Sequence, residues 1–218
     1  MLRKRIIPIL LLRNKGLVKG TNFSDYRYVG DPMNAIKIFN DKEVDELIFL
    51  DIDATNEMRC IDIDFVEKVA AECYMPFAVG GGISSIGQIR KLLKAGAEKV
   101  SINTHAIENP EFIKQASDTF GSQSIVVSID VTKNWRGKYI VTSNSGTNKT
   151  NLNLLTWAQR VEKLGAGEIL INCIYNDGLM NGYDIILSNK LATSLNIPII
   201  FSGGAGNYEH IENILSNT

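Results

Sequence analysis

Short runs of aliphatic and β-branched residues recur along the chain about one helix length apart, and between them apolar positions return every three or four residues. The runs at 5–11, 46–52, 77–79, 99–102, 124–129, 168–173 and 197–201 predict seven strands. The segments near 33–43, 61–74, 85–95, 110–119, 152–164, 184–195 and 207–216 predict helices, several opened by Asp-Pro or Asn-Pro or closed by Gly. A further strand at 139–143, after Gly137, predicts a hairpin inserted in the fifth β/α loop. Regular alternation of strand and helix favours parallel β/α units over an antiparallel sandwich.

The pattern repeats. PFAVGGGIS at 76–84 and PIIFSGGAG at 198–206 share a strand followed by a glycine turn, and the same offset lays DELIFLDID at 45–53 over GEILINCIY at 167–175. A single α/β domain over 1–218, made of half-barrel repeats at about 1–121 and 122–218, closes most naturally as a (β/α)8 TIM barrel. An open doubly wound sheet is the alternative. The second half stops before the counterpart of strand 99–102, so an eighth β/α unit is expected in an absent or disordered C-terminal segment. Otherwise something else must cover the edges of strands one and seven, which would invite edge-to-edge pairing.

Composition narrows the function classes. The 218 residues are 44% hydrophobic and 22% charged, with a net charge of −1 and both signs interspersed, which gives no electrostatic footprint for nucleic acid or an anionic membrane. The apolar start at 6–12 is too short for a membrane span and lacks the small-residue cleavage site of a signal peptide, so a cytoplasmic location is expected. Cys60, Cys73 and Cys173 form no Cys-x-x-Cys pair and have only His105 and His210 to help, which reads as reduced thiols and no metal site.

The glycine turns carry candidate chemistry. Gly80, Gly81 and Gly82 follow the third strand, and Gly203, Gly204 and Gly206 hold the equivalent place after the seventh. Each turn either simply permits a tight βα connection or aims backbone N–H groups at an anion, with the next helix N-terminus adding positive partial charge. Their symmetric pairing points to a substrate with two phosphates or one at each end. Asn103 and Thr104, after the fourth strand, add donors beside the first turn; Asp177-Gly178 and Ser145-Gly146 lie on the same expected face, where each is also a turn former.

Asp130 closes one strand and Asp51 and Asp53 another, so all three are expected near the mouth, as general acid–base candidates or as loop caps and ion-pair partners. Lys19, in the first loop, is a candidate partner for a carboxylate or a substrate oxygen. By the internal symmetry, Leu11 holds the place that matches Asp130, so a mechanism using two carboxylates across the axis lacks one. Arg5, Glu46, Lys99 and Glu168 stand at the starts of strands one, two, four and six. They form either a stabilising ion-pair ring or a gate at the barrel bottom.

The stretches KRIIP, GLVKGTNF, GDP, DELIFLDI, VGGGI, KVSIN, ENP, FGSQ, GAGEIL, NDG, GYD and SGGAG, in order along the whole chain, resemble the cyclase subunit of imidazole glycerol phosphate synthase. The resemblance implies a TIM barrel needing no cofactor. It also implies a glutaminase partner docked at the N-terminal face, with ammonia entering through the gate matched by Arg5, Glu46, Lys99 and Glu168. The family's phosphate sites fall on Gly82, Asn103 and Thr104, and on Asp177, Gly178, Gly203 and Gly204. Of its two catalytic aspartates, Asp130 matches one, whereas the other position is Leu11; the residue usually Cys at position 9 is Ile9. LLLRNKGLVK, YVGDP and DELIFLDIDAT look more like the family's divergent paralogues, which with an amidotransferase place an acetamidino group on a surface-polysaccharide sugar. Three functions follow: an amidine-forming synthase subunit, a histidine-pathway cyclase in which Lys19 or Asp51 compensates for Leu11, or a non-catalytic scaffold that activates its glutaminase.

Overall fold

The computed structural model describes residues 4–217. Its first half runs β1 (Ile9–Arg13), β2 (Gly16–Thr21), β3 (Ser24–Gly30), α1 (Pro32–Asp41), β4 (Leu47–Asp51), α2 (Ile63–Glu72), β5 (Phe77–Gly80), α3 (Ile86–Lys94), β6 (Lys99–Ile102), α4 (Thr104–Glu108) and α5 (Glu111–Phe120). The second half runs β7 (Ile125–Lys133), β8 (Tyr139–Ser143), β9 (Asn148–Lys149), α6 (Leu154–Lys163), β10 (Glu168–Cys173), α7 (Ile185–Ala192), β11 (Ile199–Ser202) and α8 (Tyr208–Asn217). Side-chain caps fix where the helices begin. Asp31 caps α1 ahead of Pro32, Ser85 and Gln88 form a capping box on α3, and Asp62, Asn153 and Asp184 accept backbone N–H bonds at α2, α6 and α7.

Among the described residues, seven strands run parallel in the order β1-β4-β5-β6-β7-β10-β11, each beside the next parallel strand of the chain. There is no reversal of strand order, which sets aside the doubly wound alternative. The sheet is curled. Arg5 bonds both Glu46, just before β4, and Glu168, at the start of β10. Four strand spacings separate them, about 19 Å if the sheet were flat, beyond what one guanidinium can bridge.

Strand alternation sorts the apolar residues into two cores. Ile48, Ala78, Val126 and Leu170 point inward and pack with Ile7, Ile9, Leu50 and Ile200 as the barrel's filling. The residues between them along the strands, such as Leu47, Phe49, Val79, Val127 and Ile169, face the helices in a larger outer core. This is a (β/α) barrel, as the repeat predicts.

Several details differ from the sequence reading. The first strand begins at Ile9 instead of Arg5, because strand pairing starts just past Pro8, which lacks an N–H to donate to the ladder. Lys19 lies on a strand and not in a loop: β2 and β3 form an antiparallel ribbon on β1 that was not anticipated. Its counterpart in the second half is the β8–β9 ribbon on β7, whose strand at 139–143 matches the prediction. The short α4 was also unanticipated. Asp53 turns to Arg13, which holds it by three contacts of 2.9–3.2 Å, and it does not line the mouth.

Candidate active site

The C-terminal ends of the strands surround a cavity of about 860 Å³. Lys19, Asp51, Gly81, Gly82, Asn103, Thr104, Asp130, Ser145, Asp177, Gly178, Gly203 and Gly204, scattered from the second strand to the last, all line it. Both glycine turns therefore open on one space.

Asp130 is the buried carboxylate of that wall, 5% exposed. Its Oδ1 accepts a hydrogen bond of 2.8 Å from Asn172 Nδ2, which also reaches Ser128 Oγ at 3.0 Å. Burial pushes the Asp130 carboxyl up to about 6, against the opposing pull of the Asn172 and Ser128 hydrogen bonds. An acid that titrates near neutrality can both take and return a proton. Asn172 and Ser128 were missed from sequence although the signal existed. Ser128 lies two residues before Asp130 on the same strand face, and Asn172 is its cross-strand partner.

Strand register makes the internal symmetry concrete. Asp130 pairs with Asn172, and Leu11 pairs with Leu50, whose repeat counterpart is Asn172. Leu11 follows Ile7 and Ile9 on the inward face and lines the cavity. One wall thus carries a hydrogen-bonded carboxylate and the symmetric wall carries two leucines, which can neither donate nor accept a proton.

Asp51 is engaged elsewhere. Arg59 Nη1 and Nη2 bond it at 2.5 and 3.2 Å, and its Oδ1 caps the following turn through the N–H groups of Asp53 and Ala54. Its hydrogen bond to Asp51 is the largest influence on Arg59 and holds the guanidinium firmly protonated. The Arg59 carbonyl packs on Gly82 so closely that a Cβ there would lie 1.7 Å from the oxygen. With φ of +60°, only glycine fits that turn. Arg59 was not among the candidates, since nothing in a lone exposed Arg signals a partner eight residues back.

Beside the first turn, Asn103 Nδ2 donates to the Ser128 carbonyl at 3.1 Å, and Thr104 Oγ1 accepts the Asn144 N–H at 3.0 Å. Ser145 Oγ reaches across to the Ile52 carbonyl at 3.2 Å. On the other side, the Asp177 carbonyl accepts the Asn22 N–H at 3.0 Å, and burial raises its carboxyl against the Phe23 N–H and the charge of Lys19. Gly178 lies on the β2–β3 ribbon, where a Cβ would sit 2.3 Å from the Gly20 carbonyl. Gly182 N–H bonds the Gly204 carbonyl at 2.8 Å, joining the Asp177 loop to the second glycine turn. Tyr26, from the unanticipated ribbon, also lines the cavity, its hydroxyl pushed up to about 12 by burial and then by Asp177.

At the opposite end of the strands, Arg5, Glu46, Lys99 and Glu168 close into a ring. Arg5 reaches Glu46 at 2.7 Å and Glu168 at 2.8 Å; Lys99 reaches the same two at 2.8 and 3.1 Å. Glu46 is 2% exposed, and Glu168 Oε2 is buried with no hydrogen-bond partner among the described residues. No group of residues suited to a metal ion occurs among the described residues, and no helix there is long and apolar enough to cross a membrane.

Residues 5–218 match the family described as histidine biosynthesis protein. The chain is 44% identical to the imidazole glycerol phosphate synthase subunit HisF of Methanococcus vannielii and 47% identical to that of Oceanobacillus iheyensis, in alignments covering all of this chain and 87% and 85% of the relatives. It is also 44% identical to a putative imidazole glycerol phosphate synthase subunit hisF2 of Pseudomonas aeruginosa, across all of this chain and 87% of that protein.

Proposed function

Since the chain belongs to the histidine biosynthesis protein family, we propose that it is an ammonia-using synthase subunit of a glutamine amidotransferase complex that forms an amidine on a nucleotide-linked or surface-polysaccharide sugar. The observation that carries this reading is Leu11, in strand register with the place Asp130 holds in the other half. Adding ammonia to an electrophilic carbon requires one group to accept the proton released by the new C–N bond and to return it to the oxygen that departs as the C–O bond breaks, and Asp130 can serve both steps. Closing an imidazole ring with two carboxylates across the axis does not fit a leucine wall.

Gly81, Gly82, Asn103 and Thr104 would hold one phosphate of the substrate; Asp177, Gly178, Gly203 and Gly204 would line the place of another, with Lys19 and Ser145 over the mouth and Asp51 at its edge. The ring of Arg5, Glu46, Lys99 and Glu168 would admit ammonia from a glutaminase on the N-terminal face. The relatives' names, which mark them as subunits, support a partner. No cofactor is required by this chemistry.

A second reading, a cyclase of histidine biosynthesis, is favoured by the names of the relatives at 44–47% identity. Steady-state assay with the cyclase ribonucleotide and ammonium salt separates the two. The amidine reading expects turnover negligible beside a histidine-pathway cyclase, and comparable turnover would establish the second reading in its place. Leu11→Asp should then raise cyclase activity only if position 11 is the obstacle.

A further inference from the structure

Each half of the barrel carries a cluster of one cation, one carboxylate and tyrosine on the catalytic face, outside the ring-closing contacts described so far. In the first half Arg13, the last residue of β1, bonds Asp53 in the loop after β4, and its guanidinium lies 4.5 Å over the ring of Tyr26 on β3. In the second half Lys133, the last residue of β7, bonds Asp184 Oδ2 at 2.7 Å and lies 4.2 and 5.0 Å from the ring centres of Tyr175 and Tyr139. Both clusters tie the same three parts: the end of the half's first strand, its antiparallel ribbon, and the loop after its second parallel strand.

The second cluster is the stronger. Asp184 Oδ2 also accepts the hydroxyls of Tyr175 at 2.7 Å and Tyr139 at 3.0 Å, while Oδ1 accepts the Leu187 N–H at 2.9 Å. Its side chain is 8% exposed, against 20% for Asp53. Burial alone would raise this carboxyl, yet Lys133, the Leu187 N–H and the two tyrosines override it and bring it down to about 2. None of the four side chains lines the cavity. They bracket what does: Tyr175 and Asp184 flank the loop bearing Asp177 and Gly178, and Tyr139 begins the strand that leads to Asn144 and Ser145.

We infer that Asp184 is a positioning residue that locks the Asp177–Gly178 loop, at the second anion-binding end of the site, to the Asn144–Ser145 arm, which reaches Thr104 and Ile52 at the first, so that the two ends are set relative to one another before substrate arrives. Preorganised donors bind an anion without a further ordering cost. The chemistry it serves is the binding of a phosphate group, and in that respect the inference rests on the phosphate reading above.

Hydrogen exchange and phosphate binding on the full chain test it together. In Asp184→Asn, peptides covering 139–147 and 176–183 should lose protection in concert, about tenfold or more, while the core strand 125–130 is unchanged. The half-saturating concentration of inorganic phosphate, followed by 31P line broadening, should rise about tenfold. Tyr175→Phe, which removes one of the four bonds, should give a smaller effect in both readouts, and Asp53→Asn should leave 176–183 protected. Loosening of one segment without the other, or equal loss throughout the barrel, would overturn the inference. If wild-type protein binds no phosphate, the phosphate reading falls while the exchange data still decide whether Asp184 couples the two segments.

Discussion

Replacing Asp130 with asparagine removes the charge that the site holds at greatest cost, so the variant should be more stable than the parent above neutral pH and indistinguishable from it in acid. The carboxyl titrates at about 6 in the fold, against 3.8 unperturbed. A raised folded-state value means that the folded protein binds this proton more tightly than the unfolded chain. The group's contribution is therefore fully present below the unfolded value and is lost as pH climbs through the folded one. At about 1.4 kcal/mol per unit, the loss approaches ~3 kcal/mol at pH 8, is about half that near pH 5, and is almost absent near pH 3. Asparagine retains an oxygen for the Asn172 N–H and carries no charge to desolvate. Thermal melting should therefore show Asp130→Asn higher by roughly 6–12 °C at pH 8, from about 2–4 °C per kcal/mol in a protein this size, and matched to the parent near pH 3. A variant that melts lower at pH 8, or differs equally at both pH values, would refute the claim that burial dominates this carboxylate.

Two further perturbations follow from the same geometry. Lys99→Met leaves Glu46 and Glu168 facing Arg5 alone, and should cost about 3 kcal/mol in chemical denaturation, part of it recovered by adding Glu46→Gln; no recovery in the double variant would show that lost packing, not uncompensated charge, sets the cost. Gly82→Ala should destabilise by about 2 kcal/mol or more, from its left-handed backbone and its clash with the Arg59 carbonyl, whereas Gly87→Ala, exposed in the first turn of α3 with no contact inside 4.0 Å, should gain up to about 1 kcal/mol. Similar melting shifts for the two would contradict the distinction.

The barrel was legible because its strands are short apolar runs that a period of two cannot mistake, and because the glycine turns repeat. The first ribbon was not. GLVKGT and SDYRYVG mix Gly, Lys and Asp among the apolar residues and show no clean alternation, yet the hairpin predicted at 139–143 could have been carried over to the first half by the repeat. Most candidates at strand ends could be placed on the cavity wall by position alone, Asp53 excepted. What position cannot supply is the partner of each: Arg13 with Asp53, Arg59 with Asp51 and Lys133 with Asp184 are pairs whose members lie 8 to 51 residues apart, brought together only by the curl of the sheet and the course of the loops.

The barrel's filling separates two polar levels. From Glu46, just before β4, the inward positions continue with Ile48 and Leu50, and along β10 they read Glu168, Leu170, Asn172, so an apolar storey stands between the charged ring and the level of Asp130. For a cation that storey is a dielectric wall, since stripping water from a full charge costs many times thermal energy. Under the proposed function ammonia would cross that storey uncharged, its extra proton left on a carboxylate of the ring, so that the nucleophilic form would be selected before the substrate is met.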